Sequence, residues 1–207
     1  MTRSKLLVLG AKPPKYNALK MQKATAMFLD ALGDKNWRKD ENTKETPLRV
    51  AKMYGILLGG NDIDNESHVK VFQSTASDMV TLSNVPFYSF CAHHLLPFVG
   101  KLHIAYIPNG KVLGVSKLVR IARTHAKKLQ LQEDLTNDIA DDLDSLLQPL
   151  GVAVQVQSSH SCMTLRGVRS HGAFMTTTSL RGLMKDDLAA RTEFLQAIQA
   201  KGDVNGY

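Results

Sequence analysis

Two short stretches of this sequence carry residue types that could do chemistry: Cys91-Ala-His-His94 and His160-Ser-Cys162. Cys91 and His94 are three residues apart, so on one helical turn their side chains would lie on the same face. A thiolate and an imidazole placed in this way suit Zn²⁺, and Cys162 is the only other cysteine. Three protein ligands would leave the fourth zinc position open to water, which is typical of a catalytic zinc site.

His93 and His160 stand beside these three residues and are left over to move protons. A lone C-x-x-H spacing is a weak signal, however, and a cysteine pair could instead form a disulfide in a secreted protein. The apolar run at residues 6–9 is too short for a signal peptide, and no stretch approaches transmembrane length. We therefore expect a cytoplasmic chain with reduced thiols, although residue types alone leave both readings open.

Composition bounds the class of protein. The chain has 207 residues, enough for one domain or one domain with an appendage, and 43% of them are hydrophobic. Its formal net charge of +7 indicates an anionic partner. Nucleic acid is not favoured, because there is no run of five basic residues and only 6% of the residues are aromatic. A phosphorylated small molecule is expected, and neither nucleic acid nor a membrane.

The first third of the chain has the periodicity of helices. Apolar residues at helical spacing form a stripe from Met21 to Leu32, and Gly33 follows it. A second helix is predicted to begin at Thr46. We expect residues 1–68 to form an N-terminal helical region and residues 69–207 to form the catalytic domain.

From residue 69 onward the pattern is that of strands followed by helices. Residues 79–90 predict a strand, a turn near Asn84 and a second strand, and residues 108–110 predict a hairpin turn. Two helices are predicted next, over residues 116–129 and 132–147. The whole order predicts an α+β fold with an antiparallel sheet.

A further strand, which begins at Val152, would line up three chemical groups. If its period of two continues to residue 166, then His160, Cys162 and Arg166 face the same way. Residues 174–180 are predicted to be its hairpin partner, and a last helix follows. The alternative is an exposed strand end with a solvated Arg166.

The stretch from Gly114 to Arg120 is a candidate anion site. Ser116 is predicted to be a helix N-cap, and helix N-termini bind anions through free backbone N–H groups. Lys117 and Arg120 would share one face and could grip a polyphosphate, although a solvated basic face is the commoner arrangement. In the pair Gln132-Glu133, the carboxylate could accept from the N1–H and N2–H₂ edge of guanine, or could simply favour the start of a helix.

Together these stretches resemble the GTP cyclohydrolase I family. The resemblance covers roughly Val85 to Ile198, with Glu45-Thr-Pro-Leu-Arg49 as an outlying piece. The segments that carry it are Phe87-Tyr-Ser-Phe-Cys-Ala-His-His94, Gly114-Val-Ser-Lys-Leu-Val-Arg-Ile121, Leu131-Gln-Glu-Asp-Leu-Thr136, His160-Ser-Cys-Met-Thr-Leu-Arg-Gly-Val168, Thr176-Thr-Thr-Ser-Leu180 and Arg191-Thr-Glu-Phe-Leu195. Their order and spacing agree with the family throughout.

The resemblance implies a fold, an assembly and a reaction. The fold is the tunnelling fold, a small antiparallel sheet with helices packed on one side. Subunits join their sheets into pentameric β-barrels, and two rings stack into a homodecamer with active sites between subunits. The reaction converts GTP and water to 7,8-dihydroneopterin triphosphate and formate, and whether the product feeds a folate-type, tetrahydrobiopterin or deazapurine pathway stays open.

The resemblance also implies residue roles. Cys91, His94 and Cys162 match the Zn²⁺ ligands. His93 and His160 match the catalytic histidines, with His160 as the proton donor to the guanine ring. The substrate-binding set is Arg49, Ser116, Lys117, Arg120, Gln132, Glu133 and Arg166. Within that set the Gln-Glu pair is implied to recognise guanine, and the other members are implied to hold the triphosphate.

The chain departs from the family pattern at Ala92, where the family often has Glu. The metal ligands are unchanged. If the Glu of the family orients a neighbouring group, Ala92 would alter the tuning of the site or the rate of its reaction. Two other classes of protein are alternatives. A relative with another pterin or purine substrate should lack the Gln-Glu pair or a zinc ligand, and a non-enzymatic zinc or nucleic-acid module would not need His93 and His160 free of metal.

Overall fold

The computed structural model describes residues 16–33, 36–58 and 70–199. These residues divide into two compact units, one made of residues 16–33 and 36–58 and the other of residues 70–199. The domain boundary predicted after residue 68 lies outside the described residues and stays a prediction.

The N-terminal unit contains two helices, α1 (Ala18–Ala31) and α2 (Thr46–Leu58). Asn17 caps α1, because its side-chain oxygen accepts from the backbone N–H of Lys20 at 2.8 Å. Trp37 is buried, and its indole Nε1–H donates to Asp30 at 2.9 Å. The structure thus has both helices that the sequence predicts in this region.

The second unit combines seven strands and five helices among the described residues. The strands are β1 (Val71–Gln73), β2 (Val80–Cys91), β3 (Pro97–Ile107), β4 (Lys111–Leu113), β5 (Leu129–Gln130), β6 (Gly151–His160) and β7 (Met175–Gly182). The helices are α3 (Val115–Ala126), α4 (Gln132–Leu147), α5 (Ser161–Thr164), α6 (Leu183–Asp186) and α7 (Leu188–Gln199).

The main sheet has the order β5-β2-β3-β6-β7. Its pairs are antiparallel except for the short pair of β5 with β2. The predicted α+β class with an antiparallel sheet is therefore confirmed. Among the described residues, no helix is both long enough and apolar enough to cross a bilayer.

Both faces of the sheet bury apolar side chains. On one face Ile104 and Val154 pack against the apolar stripes of α3 and α4, which include Leu118 and Ile139. Neighbouring residues on a strand point to opposite faces, so Ala105 lies on the other face. There the buried side chains of α6 and α7 complete a second, smaller cluster. The sheet thus lies between helices at the end where β3 finishes and β6 begins.

The predicted turn near Asn84 is wrong, because β2 runs through this position as a single strand. Asn84 has a left-handed backbone with φ of 59°, and the pairing with β3 shifts register between Leu82 and Val85. These are the marks of a β-bulge, which bends a strand without reversing it. The freed N–H of Asn84 donates to Nδ1 of His103 at 3.3 Å.

The predicted hairpin at residues 108–110 is half right. Gly110 takes a φ of 72°, and the chain turns there as expected. The strand that follows is β4, which pairs with β1 in a separate two-stranded sheet and not with β3. Local turn residues predict the reversal, but they do not select the partner strand.

Candidate metal centre and active site

Cys91 lies at the end of β2, in a tight turn that leads into β3. Its N–H donates to the carbonyl of Leu96 at 2.9 Å, and its carbonyl accepts from the N–H of Leu95 at 2.9 Å. Leu95 takes a left-handed φ of 57° to close the turn. Cys91 is buried, while His93 and His94 on the turn are exposed. The C-x-x-H spacing therefore lies on a strand-to-strand turn and not on a helix.

His160 is the last residue of β6, and the strand predicted to continue through residue 166 is wrong. A single helical turn, α5, begins at Ser161 instead, with the N–H of Leu165 donating to the carbonyl of Ser161 at 3.0 Å. This turn brings Cys162 back beside His160, and it leaves Arg166 exposed beyond the turn.

The two turns bring three possible metal ligands together. One ligand atom each from Cys91, His160 and Cys162 lies within 4.8 Å of the others. Both cysteines are free thiols. Burial raises the pKa of the Cys162 thiol, and its neighbour Cys91 raises it further. Two sulfurs and one imidazole nitrogen form a donor set that Zn²⁺ prefers, so the residues present fit this metal.

The other two candidate histidines, His93 and His94, lie on the turn that follows Cys91. Nε2 of His94 lies 2.7 Å from Nη1 of Arg166. Nδ1 of His93 lies 3.8 Å from Sγ of Cys91. The predicted third ligand, His94, is thus not part of the cluster, whereas the predicted proton donor, His160, is within it. Which of these two imidazoles holds the metal stays a prediction.

The His160 ring is held on its face and on its edge. It stacks on Phe98, with ring centroids 4.6 Å apart and an angle of 4° between the planes. Its Nε2 lies 2.9 Å from Oε1 of Gln132. Burial lowers the pKa of His160 below its usual range, and the charge of Glu133 opposes that shift. Glu133 itself is exposed.

Sequence reasoning missed the partners of Gln132. Its side chain is 1% exposed and contacts Ser158 and Thr177 as well as His160. The period of two in β6 was a usable signal for Ser158, which shares a face with His160. Phe98 gave no such signal, because it lies opposite His160 only through the register of β3 with β6.

The candidate phosphate residues lie mainly on the first turns of α3. The N-cap is Gly114, with φ of −60° and ψ of 133°, and the N–H of Lys117 donates to its carbonyl at 2.8 Å. The prediction that Ser116 caps this helix is therefore wrong, because Ser116 is already inside the first turn. Its side chain is exposed, as is that of Arg120, while Lys117 is half-buried.

Arg49 lies in the N-terminal unit, on α2. Its Nη2 lies 3.1 Å from Oε2 of Glu45, and its Nη1 donates to the carbonyl of Asn42 at 2.7 Å. Its guanidinium is thus oriented within its own unit, and its assignment to the triphosphate stays a prediction.

Comparison with known proteins gives sequence matches over most of the chain. A family model described as GTP cyclohydrolase I matches residues 21–199. The protein named GTP cyclohydrolase 1 of Bacillus cytotoxicus is 44% identical over 189 residues, which are 90% of this chain and 99% of that protein. The proteins of the same name from Bacillus cereus and Bacillus anthracis match at the same identity and coverage.

Two solved structures show weaker similarity. One is a crystal structure of the archaeosine synthase QueF-Like, with a TM-score of 0.42 and 21% identity over 53% of this chain and 97% of that one. The other is E. coli dihydroneopterin aldolase in complex with neopterin, with a TM-score of 0.40 and 11% identity over 51% of this chain and 99% of that one. The family assignment comes from the sequence matches.

Proposed function

The chain belongs to the GTP cyclohydrolase I family, and on that premise we propose that it hydrolyses GTP at C8 in a zinc-dependent reaction. The products are formate and 7,8-dihydroneopterin triphosphate, and the reaction is the first step of a folate-type or deazapurine pterin pathway. The observation that carries the proposal is the meeting of Cys91, Cys162 and His160 within 4.8 Å in a chain of this family.

The metal would be held by Cys91 and Cys162 together with one imidazole, which the family resemblance assigns to His94. Zn²⁺ bound there supplies Lewis acidity, which makes hydroxide available at about pH 7. Cys91 is buried and Cys162 is half-buried, and neither forms a disulfide. Both thiols are therefore available to a metal, which supports this role.

His160 is the proposed proton donor to N7 of guanine. C8 of guanine is a poor electrophile until the imidazole ring of the base is protonated, so a positioned acid is needed. His160 is stacked on Phe98 and bonded to Gln132, which limits its motion. His93 is exposed on the neighbouring turn and is proposed to relay a proton during ring opening and formate release.

Substrate binding is proposed to divide between base and phosphates. Glu133, exposed at the start of α4, would accept from N1–H and N2–H₂ of guanine. Lys117, Arg120 and Arg166 would hold the triphosphate with the hydroxyl of Ser116. The N-terminus of α3, which begins after Gly114, favours an anion at the same place. Arg49 is proposed as a further phosphate contact.

The active protein is proposed to be a cytoplasmic homo-oligomer, a decamer of two pentameric rings with the sites between subunits. Large apolar side chains near the candidate site support a packed neighbour, because Leu165, Val168 and Phe174 are 70%, 75% and 66% exposed. Light scattering coupled to gel filtration measures the assembly, and a monomer at working concentration would contradict it.

The reaction itself has a direct test. Zinc-loaded protein incubated with GTP should release formate and give a fluorescent pterin after oxidation, while ATP should give neither. The matched control is Cys162→Ser, which should be inactive. A zinc-loaded wild-type protein that releases no formate from GTP anywhere between about pH 6 and 9 would show that the proposed reaction is wrong.

A further inference from the structure

The side chain of Gln132 is buried at the start of α4, where its amide nitrogen faces three acceptors. Nε2 lies 3.0 Å from the carbonyl of Val156, 3.1 Å from the carbonyl of Met175 and 3.1 Å from Oγ1 of Thr177. Carbonyl oxygens only accept hydrogen bonds, so the amide nitrogen has to point toward them. The orientation of the amide group is therefore determined by the backbone of β6 and β7.

The amide oxygen faces the opposite way, toward the candidate site. Oε1 of Gln132 lies 2.6 Å from Oγ of Ser158 and 2.9 Å from Nε2 of His160. An amide oxygen only accepts, so Nε2 of His160 has to carry a hydrogen and donate it. In the neutral imidazole the other ring nitrogen, Nδ1, then has no hydrogen and keeps its lone pair.

The hydroxyl groups around Gln132 are consistent with this assignment. Thr136 donates its one hydroxyl hydrogen to the carbonyl of Gln132 at 2.7 Å. The hydroxyl of Thr177 therefore donates to Oγ1 of Thr136 at 2.6 Å, and its lone pairs accept from Nε2 of Gln132. The two backbone carbonyls can only accept, so turning the amide of Gln132 around would place its oxygen against them and leave this network unsatisfied.

We propose that Gln132 is a positioning residue, which holds His160 as an Nε2–H donor and leaves Nδ1 as the ring nitrogen that takes up a proton and then delivers it in the reaction. Stacking on Phe98 sets the plane of the ring, and Gln132 sets which edge turns toward the protein. This inference rests on the proposed function and deepens it. It assigns the Gln132 side chain to His160, and it leaves recognition of guanine to Glu133.

Kinetics separate a positioning residue from a guanine reader. Gln132→Leu removes the amide while nearly preserving its volume. We expect kcat to fall about 10–100-fold, the usual cost of losing a group that orients an active residue. The dissociation constant of GTP, measured by equilibrium binding, should stay within about threefold of the wild-type value. Thr177→Val is the matched control, because it alters the same network and leaves the bond between Gln132 and His160 in place.

A spectroscopic readout tests the tautomer directly in the zinc-loaded protein. With ¹⁵N-labelled histidine rings, the His160 signals are assigned by their loss in His160→Asn. Wild-type protein should show a hydrogen on Nε2 and none on Nδ1 in the neutral ring, and Gln132→Leu should lose this preference while Thr177→Val keeps it. A purely structural role for Gln132 would not change which nitrogen is protonated.

Two results would overturn the inference. One is a neutral wild-type His160 with its hydrogen on Nδ1, which needs no variant to fold. The other is a Gln132→Leu protein in which GTP binds at least about tenfold more weakly while kcat is unchanged, as expected of a residue that only binds the base. Absence of formate release by the wild type would count against the proposed reaction alone, because the tautomer measurement does not depend on turnover.

Discussion

Nη1 of Arg166 lies 2.7 Å from Nε2 of His94, so the predicted triphosphate arginine contacts the predicted third metal ligand. A guanidinium group only donates, so Nε2 of His94 accepts and holds its lone pair toward Arg166. That lone pair can serve Arg166 or a metal ion, but not both. His160 meanwhile lies within 4.8 Å of both thiols. The two histidines are therefore the pair whose roles need separating by experiment.

The first prediction separates them by metal content. His160→Ala should keep its zinc and lose about 10²–10⁴-fold in ring opening, the usual contribution of a general acid. His94→Ala should lose zinc. Metal analysis of both purified variants, with formate release measured alongside, gives the answer. The opposite pattern, with zinc lost in His160→Ala and kept in His94→Ala, would establish Cys91, His160 and Cys162 as the ligand set.

The second prediction concerns the thiols. Cys91→Ser and Cys162→Ser should each lose zinc and formate release together, because a serine hydroxyl is a much poorer zinc ligand than a thiolate. Ser161→Ala is a suitable control from the same helical turn and should keep its metal. A Cys162→Ser protein that is active and free of zinc would show that this cysteine is not a ligand.

The third prediction separates base recognition from phosphate binding. Glu133→Gln loses one acceptor for guanine, which leaves a donor of the bound base unpaired at a cost of about 1–3 kcal/mol. It should therefore weaken GTP and guanosine alike. Arg120→Ala should weaken GTP mainly through KM and leave guanosine almost unaffected. Titration of both ligands against both variants tests this, and a Glu133→Gln effect confined to GTP would assign Glu133 to the phosphates.

The fourth prediction is a pH dependence of stability that involves His125. In this buried imidazole, Nε2 lies 2.6 Å from Oδ2 of Asp142. Its Nδ1 lies 3.7 Å from Oδ2 of Asp138 and 3.3 Å from Nζ of Lys128. Burial lowers the pKa of His125, as does the charge of Lys128, but its contacts with the carboxylates of Asp138 and Asp142 outweigh these effects, so the pKa is raised overall. The same contact, helped by Lys128, lowers the pKa of Asp138 to about 2.

The sign follows from these directions. A raised histidine pKa contributes stability below the unfolded value of about 6.5, and that contribution disappears as pH rises through the folded pKa. The Asp138 contribution is lost only as pH falls toward about 2. His125→Gln should therefore lower the free energy of unfolding by about 1–3 kcal/mol at pH 6. The difference from wild type should shrink by pH 9.

Urea unfolding at the two pH values measures this change at fixed zinc concentration. His171→Gln is the matched control, because His171 is exposed, and it should follow the wild-type pH dependence. A destabilisation by His125→Gln that is equal at pH 6 and pH 9 would show that the charge of His125 contributes nothing and that only its packing matters.

The fifth prediction tests the close approach of β3 and β6 near the candidate site. A Cβ atom added to Gly100 would lie 2.0 Å from the carbonyl oxygen of Gln157 and 2.6 Å from Cα of Ser158. Both are backbone atoms of β6 and cannot move aside alone. Gly100→Ala should destabilise the protein by about 1–3 kcal/mol or more and reduce activity, since β6 carries His160. For Gly114→Ala the nearest atoms are 3.9 Å away, and the overpacking penalty should be absent.

Much of the secondary structure follows from local patterns. The stripe along α4 and the alternation along β6 each lie within one element, and each predicts its element type because a single period decides which side chains are buried. The residue types of the candidate metal ligands and of the proposed acid–base histidines are likewise readable from residue chemistry. The spacing of Cys91 and His94 predicted a helical turn wrongly. The same spacing also fits a turn between two strands, which is what the structure has here.

The tertiary structure alone decided which residues that are distant in sequence contact one another. The pairing of β1 with β4, the bulge at Asn84 and the stacking of Phe98 on His160 all depend on sheet register, which no local period encodes. Gln132 and His160 are separated by 28 positions in the chain, and they meet because α4 packs across β6. The sequence by itself thus determined most of the element types and which residue types are available for chemistry. The packing of helices on the sheet decided which of those residues face one another, because free energies of burial and pairing are summed over the whole fold.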